Sequence, residues 1–235
     1  MNLSRLYPWQ IWSAESGMTG LLIFTLAYLF VVCALGHFDF GDLVADLLFS
    51  LIIVAGVLTT FRQRWLRFLA IVLAVASLTL TWLNNIHPGG SLNILNTVLR
   101  LIFVGFLLAV LIVQVFGAGP VTPQRIRGAI VVYLLLGGMW SFFYYLAALT
   151  IPQAFHWLDG LPPRNPAALQ RALTYFSYVT LTTTGYGDIT PLSPLTRTMA
   201  LFEALTGQLY LVITMARLVS LAIMGRKDNF YGQNR

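Results

Sequence analysis

Charge and cysteine are what this chain has least of. Asp, Glu, Lys and Arg make up 9% of its 235 residues, against about 25% in an ordinary soluble domain. So few charges cannot cover a water-facing surface, so most of the exterior must face lipid. This excludes a soluble globular enzyme and a disordered tail. The single cysteine, Cys33, lies inside an apolar run, which excludes an internal disulfide and a disulfide-stapled scaffold. His37, His87 and His156 stand apart, with no Cys or carboxylate at metal-ligand spacing. No phosphate-cradling glycine loop or nucleophile elbow is visible. Enzyme chemistry and a bound cofactor are therefore not expected. The formal charge of +6 comes from arginines near the ends of apolar runs. That placement sets membrane orientation and builds no basic stripe for a nucleic acid.

What the chain does have is apolar length. Its hydrophobic fraction is 58% and its mean hydropathy +0.78. A bilayer core of about 30 Å takes some 20 apolar residues as helix, and six stretches qualify: 18–36, 43–61, 68–83, 92–116, 128–150 and 195–224. The expected fold is all-α and integral to the membrane. The third stretch is short, which implies little tilt or local thinning of the bilayer. Both Arg5 and Glu15 precede the first run, a poor signal-peptide start, so an uncleaved span is expected. Residues 1–17 form an N-terminal segment whose Tyr7, Trp9 and Trp12 suit a helix lying flat at the interface.

Arg62, Arg64 and Arg67 share one loop, Arg125 and Arg127 another, and Arg226, Lys227 and Arg235 the tail. The loops between carry Asp39 and Asp42, or no charge from Asn84 to Gly90. This alternation predicts both termini in the cytoplasm of a multi-pass plasma-membrane protein. GAGPVTPQR separates a four-helix portion, 18–117, from the last two spans, 125–224.

Residues 151–194 are too long for a hairpin loop. A turret-like piece, PQAFHWLDGLPPRNP, precedes ALQRALTYFSYVTL, and Pro166 signals a helix over 167–181. Such a helix is roughly 22 Å long, too short to cross, so it is expected to dip into the membrane and return. Next comes Thr182-Thr183-Thr184-Gly185-Tyr186-Gly187-Asp188. Two glycines bracketing one residue allow a handedness that L-residues resist, so successive carbonyls can point one way. Such oxygens can replace the water around a monovalent cation, with the Thr183 hydroxyl adding a ligand. One strand supplies too few oxygens at any level, so several copies around an axis are required. The C-terminal end of helix 167–181, partially negative, would favour a cation nearby.

On these residues the sequence resembles potassium channels. TTTGYGD matches the family's filter pattern Thr-Val-Gly-Tyr-Gly-Asp with the Val replaced, between two membrane spans, and the resemblance covers about 125–224. It implies a homotetramer, a potassium-selective pore lined by Thr183, Thr184, Gly185, Tyr186 and Gly187, and a gating inner helix. Potassium is then the permeant ligand. Thr184 replaces the family's Val or Ile, so its hydroxyl needs a partner behind the filter. Val179 stands where some bacterial relatives carry a bracing Glu. Tyr175 is placed like the aromatic that hydrogen-bonds the filter Asp, a bond Phe176 cannot donate. Asp188 has two compatible readings, a structural acceptor for Tyr175 and a concentrator of cations at the outer mouth. Weak cation selectivity and a non-conducting membrane scaffold are the competing functions.

In the last span Gly207, nineteen residues after Asp188, sits where the resembling family often has a hinge. Close helix packing explains a glycine equally well. Gln208, Leu211, Met215 and Val219 share one helical face, which by family register lines the cavity and inner constriction, and which a lipid-facing stripe also explains. Glu203 and Arg217 are intramembrane charges. Arg217 suits snorkelling to the inner interface. Glu203 is hydrogen-bonded, ion-paired or protonated, with a structural role favoured over ion or pH sensing.

Six spans with a pore after the fifth resemble voltage-gated channels, whose sensor helix carries several cations. The fourth span here has only Arg100, so steep voltage dependence is not expected. Asp46 and Glu203 are its two candidate partners. The first four helices therefore resemble a degenerate sensor. Arg62, Arg64 and Arg67 fit positive-inside anchors or a site for anionic lipid headgroups. The eleven-residue tail, 225–235, implies no appended nucleotide- or calcium-binding domain.

Overall fold

The computed structural model describes residues 8–35, 41–59, 64–86, 89–117, 122–158, 160–163 and 165–232. Residues 1–7, His37, Asp39, Arg62, His87 and Arg235 lie outside them, as do the side chains of Trp9, Trp12, Arg226 and Lys227. The elements in chain order are α1 (Pro8–Phe30), a π-helical turn (Val31–Leu35), α2 (Gly41–Thr59), α3 (Arg64–Ile86), α4 (Gly90–Phe116), α5 (Pro123–Thr150), β1 (Phe155–Trp157), α6 (Pro166–Leu181), β2 (Ile189–Pro191) and α7 (Pro194–Gly232). Among the described residues, six helices are long and apolar enough to cross a membrane. Lipid offers no hydrogen bonds, so these apolar runs must satisfy their own backbone, and a helix does so within the segment.

Three boundaries differ from the sequence expectation. α1 runs unbroken from Pro8, so no separate flat helix ends before the first span. α3 has 23 residues rather than the expected sixteen over 68–83, because Arg64 and Arg67 and the polar Asn84 and Asn85 are taken into its ends. It needs no thinned bilayer. α7 continues to Gly232, past the expected end at 224.

α5 is the spine of the chain. More than half of its span, 56%, is buried, against 17% for that of α7. It packs against α1, α4, α6 and α7. Thr122 caps its start by accepting from Arg125 N at 3.4 Å, with Pro123 in the first turn. One continuous core, including Leu21, Ile53, Phe103, Leu107, Val131 and Leu135, joins the first four helices to it. In lipid such a core is held by close packing, since burial there gains nothing from water.

The polar groups inside the four-helix portion converge on Arg100. Its Nη2 donates to Asp46 Oδ1 at 2.7 Å and to Thr81 Oγ1 at 3.2 Å. Its guanidinium also lies 4.8 Å from the Phe49 ring centroid. Asn85 Nδ2 reaches the other Asp46 oxygen at 2.8 Å, and Thr81 passes its proton to Asn96 Oδ1 at 3.1 Å. Of the two candidate acids, Asp46 is the partner. Glu203 is engaged elsewhere. A second ion pair, Arg171 with Asp42, ties α6 to α2 beside a polar cavity of about 450 Å³.

Candidate functional site

α6 starts where Pro166 predicts. Asn165 accepts from Ala167 N at 3.0 Å, and the proline occupies the first turn, where its missing N–H costs nothing. Sixteen residues give about 24 Å of helix, short of a bilayer core. Leu173, Thr174, Phe176, Ser177 and Leu181 form its buried face. Behind it Tyr144, Phe155 and Phe176 pack ring on ring, with centroids 5.0 to 5.8 Å apart.

After Leu181 the chain leaves the helix but keeps its hydrogen bonds. Thr182 N donates to Tyr178 O at 3.0 Å, Thr183 N to Thr180 O at 2.9 Å and Thr184 N to Val179 O at 2.9 Å. Gly185 N shares the Val179 oxygen at 3.4 Å. The backbone then alternates in handedness: φ is positive at Thr183 (57°), Gly185 (58°) and Gly187 (85°), and not at Thr184 or Tyr186. Such alternation gathers successive N–H groups on one side and carbonyls on the other. The amides of 182–185 are spent on the helix end. Among the described residues no backbone donor reaches the carbonyls of 183–187. Thr183 holds a left-handed conformation without being glycine, a strain of about 1–3 kcal/mol that persists only where the surroundings enforce it. The stretch 182–187 is exposed in the single chain, Tyr186 at 71%.

The departing residue Thr184 finds its partner at the helix end. Thr182 Oγ1 donates to Tyr178 O at 2.7 Å and meets Thr184 Oγ1 at 2.9 Å. With the Thr182 proton used, Thr184 is the donor between them. At the outer end the Tyr175 and Tyr186 rings stack within 4° of parallel, centroids 6.5 Å apart. The Tyr175 hydroxyl bonds to Asp188. Burial first, then that carboxylate, push the Tyr175 phenol up to about 12, so it remains a donor at neutral pH. Asp188 is the acceptor of this bond.

The turret expected before α6 contains β1, which pairs antiparallel with β2, Phe155 opposite Pro191 and Trp157 opposite Ile189. Leu158 N donates to Asp188 O at 2.9 Å. The outer loop is therefore fastened to the exit of the TTTGYGD segment, a link for which three residues of strand leave no readable pattern.

On α7, a Cβ at Gly207 would stand 2.2 Å from Leu181 O. Close approach of two helices accounts for the glycine, and α7 continues through it. Gln208, Leu211, Met215 and Val219 are all exposed in the single chain. Arg217 donates to Phe116 O at 3.3 Å, at the C-terminal end of α4 where a cation complements the helix dipole. Glu203 is fully buried, its carboxyl held by Tyr144 and Ser177. Neither partner stood out in the sequence: Tyr144 lies in an aromatic run and Ser177 on an amphipathic helix.

An ion channel family model matches residues 172–223, from within α6 through most of α7. No curated protein matches the chain. The match and the six apolar helices support an ion channel in a multi-pass membrane protein, and point away from an enzyme.

Proposed function

We propose that four copies of this chain form a central potassium-selective pore, in which ions shed water onto backbone carbonyls of Thr183, Thr184, Gly185, Tyr186 and Gly187. The observation that carries this reading is the alternating handedness at 183, 185 and 187, because it presents a row of unspent oxygens. One chain offers a single oxygen per level, and exposed irregular backbone is tolerated at membrane depth only against protein or water. Copies around an axis answer both needs. The sparsely buried α7 then faces its neighbours, with Gln208, Leu211, Met215 and Val219 toward the cavity and inner constriction. Ions occupy successive sites and move by mutual repulsion down their gradient. Asp188 adds negative potential at the outer mouth. Both termini lie in the cytoplasm of a plasma membrane, with arginine loops against anionic lipid.

Flux in reconstituted liposomes tests this. Potassium uptake should exceed sodium uptake, and Gly185→Ala should abolish it, since alanine resists a φ of 58°. Equal permeabilities would leave a weakly selective cation channel. Wild-type vesicles without flux, and indifferent to the substitution, would leave a membrane scaffold.

A further inference from the structure

Glu203 takes no part in the permeation path, yet it stands fully buried where three helices meet. Tyr144 of α5 donates to its Oε2 at 2.6 Å. Ser177 Oγ of α6 lies 2.5 Å from its Oε1 and 2.7 Å from Gly137 O of α5. A serine hydroxyl has one proton. Two contacts this short, to a carbonyl and to a carboxyl oxygen, require two, and the carbonyl has none to give. The second proton must come from the acid itself.

We propose that Glu203 is held as a neutral carboxylic acid that donates to Ser177, which donates to Gly137, so that one proton ties the filter-bearing helix α6 to both α5 and α7. Glu203 is thus a positioning residue acting through Ser177. The titratable groups facing it are phenols: Tyr144 and Tyr133 on α5 and Tyr178 on α6. No cation faces it among the described residues, where the ion-paired acids are Asp46 and Asp42. An anionic Glu203 would be a buried charge with no counter-charge, the costly case in protein and in membrane alike. Loss of the proton also turns the Ser177 hydroxyl toward Glu203 and strips Gly137 of its donor. The brace therefore weakens as pH rises through the titration of Glu203, and the conducting arrangement of α6 weakens with it.

The effect on flux rests on the channel reading above; the protonation does not. Infrared spectroscopy of the reconstituted full chain should show a buried carboxylic-acid carbonyl band at neutral pH, absent from Glu203→Gln. Absence of that band from wild type overturns the proposal. Glutamine keeps both roles, its amide donating to Ser177 and its oxygen accepting from Tyr144. Potassium flux of Glu203→Gln should therefore stay within about threefold of wild type and lose the alkaline fall that wild type shows. An alkaline fall unchanged in Glu203→Gln also overturns it. Ser177→Ala should shift the acid band and lower flux about tenfold, one buried hydrogen bond's worth. If Glu203→Gln does not fold, an unshifted band in Ser177→Ala is the overturning result. Wild-type vesicles without flux would end the channel reading alone, with the band still deciding the proton.

Discussion

The carbonyl oxygen of Leu181 fills the space where a side chain at Gly207 would begin, 2.2 Å from the missing Cβ. The obstacle is backbone, which cannot rotate aside as a side chain would. α7 thus meets the end of α6 at the point where the TTTGYGD segment starts.

Gly207→Ala should lower stability by about 1–3 kcal/mol, the usual cost of overpacking. Thermal unfolding in detergent measures it. Gly105→Ala on α4, with nothing within 4 Å of the added carbon, serves as the control and should be neutral or gain about 0.5 kcal/mol from helix propensity.

Arg100 and Asp46 have side-chain exposures of 13% and 17%, so removing one partner strands the other. Arg100→Leu should destabilise by about 3 kcal/mol, and Arg100→Leu with Asp46→Leu should recover most of that. A double-mutant cycle on unfolding midpoints reads the coupling. With its one arginine locked in this pair, α4 should confer only shallow voltage dependence, about 2.3 kcal/mol per 100 mV at most for full translocation. Steep gating in a voltage ramp would contradict the locked pair.

Thr184→Val removes a single hydroxyl contact, 2.9 Å long and exposed in one chain, and leaves the backbone bonds of the segment intact. Flux should remain and the potassium-to-sodium ratio should not fall, since a bond of this kind contributes about 1 kcal/mol or less. Tyr175→Phe should shorten the conducting lifetime, because Asp188 loses its donor while the ring stack with Tyr186 survives. Single-channel recording separates the two effects.

Phe155 is buried between Tyr144 and Phe176 and belongs to β1. Phe155→Ala should cost about 3–5 kcal/mol through the cavity it leaves. It should also loosen β1 from β2. Proteolysis in the outer loop, with circular dichroism as the fold control, would show the helices intact while the loop becomes cleavable.

The spans were readable because lipid admits few alternatives: long apolar runs must be helices. The backbone turn of the TTTGYGD segment was readable because Gly185 and Gly187, both at positive φ, mark that conformation directly. Thr183, which shares that conformation, carries no such mark. Depth along the membrane narrowed the partner of Arg100 to Asp46 or Glu203 and could go no further, since depth says nothing about which helices touch. The hinge and packing readings of Gly207 likewise differ only in what lies opposite, and Leu181 supplies that. Tyr144, Ser177 and Glu203 come from three separate helices, and only the fold brings them together.

The four amides from Thr182 to Gly185 all end on carbonyls of the last turn of α6. Thr184 and Gly185 share a single acceptor there, Val179 O, so their bonds are lost together. The TTTGYGD segment and the helix end therefore form one cooperative unit: the segment cannot come away without unwinding that turn. Hydrogen exchange at these positions should rise together, as a single opening event and never residue by residue.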